Sequence, residues 1–204
     1  KNNIELYLGS LEALGIDTKA HDVRLVEDNW EAPSIGAWGI GWEIWLDGME
    51  ITQYTYFQQI GGIDLDPVPV EITYGPERIA MYIQKVDDFK DIRWNESLTY
   101  GDIFERQEYW QSVFNIEKAD IDRHRKLFDL YYDEAQAQVD EGNHHAAYDN
   151  LLKMSHSFNI LDTRGAVGVS ERANVFRKMQ HLSSEIAKLY VKEREDLNYP
   201  LMKK

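Results

Sequence analysis

Two glutamates flank a tight turn in the segment GWEIWLDGME. Asp47-Gly48 between two alternating patterns indicates a two-residue type I′ β-hairpin. In the register that such a turn imposes, Glu43 and Glu50 are diagonal neighbours on one face, with roughly 7–8 Å between their backbones. Two carboxylates so placed are able to share a hard cation such as Mg²⁺ or to hold a metal that is bound to a polyphosphate.

Side-chain alternation predicts which residues share the face with these two glutamates. The predicted face also carries Trp45, Thr52, Tyr54, Tyr56 and Gln58. The opposite face carries Trp42, Ile44, Leu46, Met49, Ile51 and Phe57, with Gln53 and Thr55 among them, and is mostly core. A solvated strand face also fits the glutamates, but it would carry Lys or Glu more often than two Tyr, a Trp and a Gln. The pattern therefore favours a ligand-binding face.

An arginine stands in the first turn of the next predicted helix. The segment EITYGPERIAMYIQ indicates a strand that ends at Thr73 and a helix that begins at Pro76. Arg78 then lies at a helix end that carries partial positive charge and prefers anions. An anion held by Arg78 and the helix N-terminus together explains this placement. An ion pair with a nearby acid such as Glu71 explains it too.

Composition restricts the function classes. The formal net charge of −14 over 204 residues argues against a broad nucleic-acid-binding surface, because phosphate contacts need clustered Lys and Arg. If nucleic acid is a substrate, we expect another polypeptide to hold most of it. The absence of cysteine excludes disulfides and thiolate metal sites. No apolar run approaches the roughly 20 residues that span a bilayer, and there is no signal peptide, so we expect a cytoplasmic protein without membrane contact.

The chain changes character once, near residue 95. The first part holds most of the glycines, prolines and tryptophans, and the second part has a helical pattern almost throughout. Strands are predicted at 21–27, 40–46, 49–58 and 68–73, and helices near 101–114, 120–141, 144–161 and 170–196, the last with Ser170 as N-cap. This order predicts an α+β protein: an antiparallel sheet flanked by helices in residues 1–95, followed by an all-helical domain in residues 96–204.

These residues carry a resemblance to a known family. The segments VRLVEDNWEAPSIGAWGIGWEIWLDGMEITQYTYFQQIGG and EITYGPERIAMYIQ resemble the α subunit of the bacterial-type, heterotetrameric glycyl-tRNA synthetase nearly position by position. LTYGDIF and SFNILDTRGAVGVSERA do so in the second part. The resemblance covers essentially the whole chain, and its motifs are long and rich in tryptophan. It implies a class II aminoacyl-tRNA synthetase, whose catalytic domain is built on an antiparallel sheet.

The resemblance implies that the chain activates glycine with ATP and passes the glycyl group to tRNA(Gly). In class II enzymes, motif 3 supplies an arginine to the ATP phosphates, and Arg78 matches it. More distant class II enzymes hold ATP-bound Mg²⁺ with two acids seven residues apart around a hairpin turn. Glu43 and Glu50 have that spacing, so the resemblance implies catalytic and ATP–Mg²⁺ roles for these three residues.

The resemblance also implies a pocket for the small amino acid. Glu71 and Thr73, in the strand before motif 3, are suited to binding glycine and its ammonium group. Trp30 is expected to form a wall that leaves no room for a side chain. Excluding larger substrates sterically is the easy direction of discrimination for glycine.

The sequence departs from the family at its start. Family members begin with a dimerisation motif and a motif 2 whose arginine grips the α-phosphate, and neither has a counterpart here. The match starts at NNIELYLGSLEALGI, which follows motif 2 in the family. We therefore expect a missing N-terminal portion, so that this chain alone supplies only part of the ATP site. In the full-length form the resemblance implies an α homodimer and a β subunit, separate or fused.

Two function classes follow. The first is the catalytic α chain of glycine–tRNA ligase, which the intact Glu43, Glu50, Glu71 and Arg78 favour. The second is a non-catalytic or truncated relative that serves as a ligand- or partner-binding module, which the absent motif 2 favours.

Further along the chain, two groups of polar residues admit simpler interpretations. His144-His145 is predicted to lie at a wet helix start without a third ligand for a metal. Arg164 and Arg172 fit contacts with RNA or a partner subunit and structural salt bridges equally well.

Overall fold

The computed structural model describes residues 2–200; Lys1 and residues 201–204 lie outside the described part. The helices there are α1 (Asn3–Ala13), α2 (Pro76–Gln84), α3 (Tyr100–Val113), α4 (Ile121–Asp140), α5 (His144–Thr163) and α6 (Val169–Asp196). The strands are β1 (Val23–Glu27), β2 (Trp30–Ala32), β3 (Ala37–Leu46), β4 (Met49–Ile60), β5 (Ile63–Asp64) and β6 (Val70–Tyr74). Short 3-10 turns cover Pro33–Ile35 and Phe89–Asp91, and a π-helical turn covers Phe114–Lys118.

The strands form one antiparallel sheet around the β3–β4 hairpin. β1 and β2 pair with β3, and β5 and β6 pair with β4. The predicted α+β class with a helical C-terminal region is confirmed. The four predicted C-terminal helices are confirmed to within two residues at each end. β2 and β5 were not predicted, because strands of three and two residues are too short to show an alternation.

The chain divides into two compact units. Within the described residues, the first comprises 2–30, 39–57 and 67–110, and the second comprises 31–38, 58–66 and 111–200. The long hairpin contributes to both, since the outer ends of β3 and β4 belong to the second unit. The functional boundary at residues 95 and 96 stays a prediction.

The core of the first unit lies between α1, α2 and one face of the sheet. Its fully buried members are Tyr7, Leu11, Ile16, Ile44, Leu46, Ile51, Tyr54 and Ile79. The Tyr7 hydroxyl donates to Thr52 Oγ1 at 2.9 Å, which satisfies a polar atom inside this core. Thr52 and Tyr54 therefore face α1.

This arrangement corrects the predicted division of the hairpin faces. The ring of Trp42 contacts Tyr54 and Tyr56, with centroids 6.3 and 6.2 Å apart, so these tyrosines lie on the core side. On the core face, Trp42 and Ile44 are two residues apart in β3, whereas Ile51 and Tyr54 are three residues apart in β4. One extra residue on one strand defines a β-bulge. Beyond Ile51 the alternation in β4 is inverted, because a one-residue slip moves every later side chain to the other face.

The turn of the hairpin has the predicted type. Asp47 and Gly48 both have positive φ, 49° and 89°, as a type I′ turn requires. The Asp47 carboxylate accepts hydrogen bonds from the Tyr82 hydroxyl at 2.7 Å and from the Asp22 amide at 2.8 Å, and His21 Nδ1 lies 2.8 Å from it. The hydrogen bond from Tyr82 contributes most to lowering the pKa of Asp47 below its ordinary value, with smaller contributions from the Asp22 amide and His21. Burial and this carboxylate together raise the pKa of Tyr82 to about 12.

The second unit is built on the packing of α4, α5 and α6. Its core consists of Phe128, Ala135, Ala147, Leu151, Met154, Phe158, Met179, Leu182 and Ile186. Helix α6 begins at Val169, and Gly168 is its N-cap rather than the predicted Ser170. The Gly168 amide donates to the Glu171 carboxylate at 3.4 Å. The predicted acidic residue in the first turn, Glu171, is therefore confirmed.

We expect Gly41→Ala to destabilise the first unit. A Cβ at this position would lie 2.7 Å from the Asp28 carbonyl oxygen and 2.9 Å from that of Tyr54, and neither backbone atom can swing away. The free energy of unfolding in urea should fall by about 1–3 kcal/mol, as in other overpacked sites. Gly9→Ala in α1 is the control, because a Cβ at this position has open space around it. This variant should be more stable than the wild type by about 0.5–1 kcal/mol. Equal stability of both variants would contradict the close approach.

We expect Asp47 to contribute stability that depends on pH. Its folded pKa is depressed, so the contribution is fully present above its unfolded pKa and is lost as pH falls through the folded value. Unfolding free energies of the wild type and Asp47→Asn should be compared from about pH 6 to about pH 3. The advantage of the wild type relative to the variant should stay constant at the upper end and shrink at the lower end. A difference that is independent of pH would show that Asp47 ionisation is not coupled to folding.

Candidate active site

The bulge in β4 gathers the predicted site residues on one face of the first unit. β6 pairs with β4 so that Glu71 lies opposite Thr55 and Thr73 lies opposite Gln53. Opposite residues of an antiparallel pair share a face. Because Tyr54 points to the core, Gln53 and Thr55 point away from it, and Glu71 and Thr73 do so too.

Arg78 reaches from the first turn of α2 to Glu50 on β4. One guanidinium nitrogen donates to the main-chain carbonyl of Glu50 at 2.9 Å and forms an ion pair with its carboxylate. The Arg78 side chain is 51% exposed and that of Glu50 is 29% exposed. The acid that Arg78 meets is thus Glu50 and not Glu71, the partner considered from sequence, and the pair is open to solvent.

The placement of Arg78 follows from how α2 begins. The Gly75 amide donates to the Ile51 carbonyl at 2.8 Å, which joins the helix start to β4 directly after Glu50. Pro76 occupies the first helical position, and no side chain caps the N-terminus. Ile79 is buried in the core and fixes the rotation of the helix about its axis. These constraints leave Arg78 on the side that faces the hairpin.

A cleft of about 410 Å³ opens beside this ion pair. Its lining consists of Trp45, Gly48, Met49, Glu50, Arg78 and Met81. Trp45 connects the cleft to the second glutamate, because its indole N–H donates to Glu43 Oε2 at 2.8 Å. The cleft therefore combines a half-exposed cation, an uncapped helix start and carboxylate oxygens, which are the ligands that Mg²⁺ prefers.

Glu71 and Thr73 form the second part of the candidate site. Both residues are exposed, and the Thr73 hydroxyl donates to the Glu71 carboxylate. Across the strand pair, Thr55 is buried, and the Gln53 amide donates to Asp28 Oδ2 at 3.4 Å. An acid with free lone pairs beside a hydroxyl and an amide is able to bind a small ammonium group.

Trp30 lies at the end of this face. Its ring meets Phe57 edge-on with centroids 5.1 Å apart. Phe57 follows Thr55 by two residues in β4 and so shares the face of Thr55. The segment before β2 lies beside β3 here, since the Asp28 amide donates to the Gly41 carbonyl at 2.9 Å.

Gln53, Thr55 and Phe57 were assigned to the core by alternation alone, and that prediction was wrong. The sequence offers no simple indication of the bulge. In residues 51–56, β-branched, polar or aromatic residues point to each face in either register, so the sequence is compatible with burial of either face. The two close glycine approaches at Gly39 and Gly41, against Thr55 and Tyr54, are visible only in the structure.

In the second unit, His144 is buried and not wet as predicted. Its Nε2 hydrogen-bonds to Glu193. His144, His145 and Glu193 each offer one potential metal-ligand atom, and these three atoms lie within 4.8 Å of one another. The prediction that no third ligand is near was therefore wrong. The hydrogen bond from His144 is the main reason why the pKa of Glu193 is lowered, and it gives this buried imidazole a structural partner.

The two arginines near the start of α6 make structural contacts. Arg164 donates to the Ala119 carbonyl at 2.6 Å, and Arg172 pairs with Asp162 at 3.1 Å. Arg172 remains half-exposed. Among the helices in residues 2–200, none combines the length and the apolar character that a membrane crossing requires.

Comparison with known proteins shows which family this chain belongs to. The family model for the glycyl-tRNA synthetase alpha subunit matches residues 1–195. The glycine–tRNA ligase alpha subunit of Coprothermobacter proteolyticus is 54% identical over 198 residues, which cover 97% of this chain and 68% of that protein. The alternative of a non-catalytic binding module is not favoured. The chain belongs to the glycyl-tRNA synthetase alpha subunit family, whose members are aminoacyl-tRNA ligases.

Proposed function

We propose that this chain activates glycine in the cleft beside Arg78 and in the adjoining pocket at Glu71. The glycine carboxylate attacks the α-phosphorus of ATP, the bond to the β-phosphate oxygen breaks, and pyrophosphate leaves as glycyl-adenylate forms. A hydroxyl of the terminal ribose of tRNA(Gly) then attacks the glycyl carbonyl carbon, the bond to the phosphate oxygen breaks, and AMP leaves. The observation that carries the proposal is the open Arg78–Glu50 pair at the start of α2, because it places a cation and a metal-binding oxygen side by side.

Arg78 is proposed to bind the terminal phosphate and to stabilise charge on the departing pyrophosphate. A half-exposed guanidinium at a helix N-terminus suits this role, since the helix dipole and the side chain act on the same anion. The Glu50 carboxylate lies beside Arg78 where that anion would bind. Binding of the nucleotide would exchange one negative partner for another and leave Arg78 paired throughout.

Glu43 and Glu50 are proposed to hold Mg²⁺ bound to ATP. Their oxygens fit this ion, because Mg²⁺ commonly uses one or two carboxylates together with phosphate oxygens and water. The bound ion would neutralise phosphate charge and help pyrophosphate to leave. The Trp45 indole, which donates to Glu43, would fix the orientation of that carboxylate.

Glu71, Thr73 and Trp30 are proposed to bind glycine. The Glu71 carboxylate pairs with the ammonium group, and Thr73 holds that carboxylate through its hydroxyl. Trp30, braced by Phe57, closes the space that a larger side chain would need. Gln53 and Thr55, which lie opposite Thr73 and Glu71, complete the polar lining.

The partners follow from the family and from the charge of the chain. A beta subunit, separate or fused, is proposed to hold tRNA(Gly), because a chain with a net charge of −14 offers few sites for phosphate. We also propose an alpha homodimer and a cytoplasmic location. Residues 1–95 would carry the catalytic core and residues 96–204 a helical domain; the first residue and the last four lie outside the described part of the chain.

We expect Arg78→Ala to cripple glycine-dependent ATP–pyrophosphate exchange in the complete natural protein. Loss of one preorganised contact to developing charge costs about 3 kcal/mol, or on the order of a hundredfold in rate. The melting temperature should hardly change, because surface ion pairs contribute little to stability. Arg172→Ala is the matched control: Arg172 is also about half exposed and paired with an acid, Asp162, but it belongs to the second unit and does not line the cleft.

Arg78→Ala decides between a catalytic and a structural arginine. If the variant unfolds while its folded fraction keeps the wild-type exchange rate, Arg78 is a structural partner of Glu50 and the proposal fails. If Arg172→Ala lowers exchange as much as Arg78→Ala does, the effect reflects net charge and not the cleft.

We expect Trp30→Phe to relax the choice of amino acid. Phenylalanine keeps a ring against Phe57 but leaves space about the size of a methyl group. Discrimination between glycine and alanine in ATP–pyrophosphate exchange should fall by about tenfold or more, since one methyl group is worth roughly 1–3 kcal/mol in such pockets. Trp38→Phe, an exposed tryptophan on β3, serves as control. Unchanged discrimination in Trp30→Phe would remove Trp30 from the pocket.

A further inference from the structure

Two polar side chains on one face of helix α2 attach it to the hairpin, in addition to the Gly75 amide at the helix start. Arg78 contacts Glu50, and Tyr82, four residues later, donates to Asp47 Oδ2 at 2.7 Å. Residues four apart lie one above the other on a helix. The two acids are three residues apart around the turn, so each contact joins the helix to a different part of the same hairpin.

The two contacts differ in what nucleotide binding does to them. In the proposed function, Glu50 leaves Arg78 when it binds the metal and Arg78 takes a phosphate. The contact at Tyr82 does not take part in this exchange. Once the ion pair opens, the bond from Arg78 to the Glu50 carbonyl and the bond from the Gly75 amide to the Ile51 carbonyl hold only the start of α2. Tyr82–Asp47 is then the polar contact that holds the second turn of α2 to the hairpin, beside the buried side chain of Ile79.

We propose that Asp47 and Tyr82 form a clamp that keeps α2, and therefore Arg78, in place while Arg78 exchanges Glu50 for phosphate. This inference rests on the proposed function. Tyr82 and Asp47 are positioning residues, since they act through Arg78 and do not contact the reacting atoms themselves.

The turn holds the carboxylate of the clamp rigidly. Asp47 has φ 49°, a left-handed conformation that few residues other than Gly, Asn and Asp adopt readily. Its Oδ1 accepts the Asp22 amide at 2.8 Å, and its own amide donates to the Asp22 carbonyl at 2.9 Å. His21 Nδ1 lies 2.8 Å from Oδ2. His21 and Asp22, directly before β1, thus hold the Asp47 carboxylate in place. A hydrogen bond from Tyr82 to this carboxylate therefore restricts the movement of α2.

The clamp is tested by Tyr82→Phe, Asp47→Asn and their combination in the complete natural protein. Asp47→Asn keeps the turn, because Asn-Gly also favours type I′, but it replaces the acceptor oxygen. Each single variant should lower kcat of glycine-dependent ATP–pyrophosphate exchange by about tenfold, as loss of a charge-assisted hydrogen bond allows. The KM for glycine should not change. The double variant should be no slower than Tyr82→Phe, because Tyr82→Phe already removes the bond to Asp47 together with the contact of the hydroxyl with His21 Nδ1 at 2.6 Å.

Tyr100→Phe is the matched control. The Tyr100 hydroxyl also donates to a carboxylate on α2, that of Glu77 at 3.2 Å, but this contact does not reach the hairpin. The Tyr100→Phe variant should keep the wild-type kcat. Hydrogen exchange of residues 76–84 gives a second readout without activity: in the presence of a non-hydrolysable ATP analogue and Mg²⁺, Tyr82→Phe should exchange faster than Tyr100→Phe.

Three outcomes separate the clamp from its alternatives. If Tyr82→Phe behaves like Tyr100→Phe while Arg78→Ala abolishes exchange, the clamp is wrong and the proposed function stands. If Arg78→Ala keeps its exchange rate, the proposed function itself is wrong. If Tyr82→Phe only lowers the melting temperature and leaves kcat per folded molecule unchanged, the contact is merely structural and the inference is overturned.

Discussion

The candidate site depends on the register of the β3–β4 hairpin. One extra residue in β4 after Ile51 turns Tyr54 to the core and Gln53 to the opposite face. Pairing with β6 then places Glu71 and Thr73 on the same face as Gln53. Without the extra residue, the two aromatic rings that pack on Trp42 would point into the site and the acid at position 71 would point into the core. A single backbone irregularity thus decides both packing and chemistry.

The same irregularity explains the glycines of β3. At Gly39 and Gly41 the neighbouring chain approaches closer than any side chain allows, from Thr55 in one case and from Asp28 and Tyr54 in the other. A strand without side chains at these positions leaves room for the side chain of Thr55, whose Cγ2 would lie 2.5 Å from a Cβ at Gly39 and whose Oγ1 would lie 3.2 Å from one at Gly41.

Much of the fold was predictable because its patterns are local. The Asp47-Gly48 turn, the break at Gly75-Pro76 and the long helical periods each depend on a few neighbouring residues. The face of β4 was not predictable, since the bulge depends on the hydrogen bond from Tyr7 in α1 to Thr52 and on pairing with a strand some 20 residues away. The third group near His144 was missed for a similar reason: Glu193 is brought there by tertiary packing of α5 and α6.

The placement of Arg78 illustrates how a local conflict is resolved by a distant group. A guanidinium in the first turn of a helix adds to the partial positive charge already there and is unfavourable by itself. Glu50, on the neighbouring strand β4, supplies the anion that this helix end prefers. The chain as a whole is strongly acidic, but ions screen charges that lie more than about 8 Å apart at physiological salt. Contacts within the cleft are therefore stronger than the long-range repulsion, and a phosphate that replaces Glu50 would meet a cation and a helix dipole that are already oriented towards it.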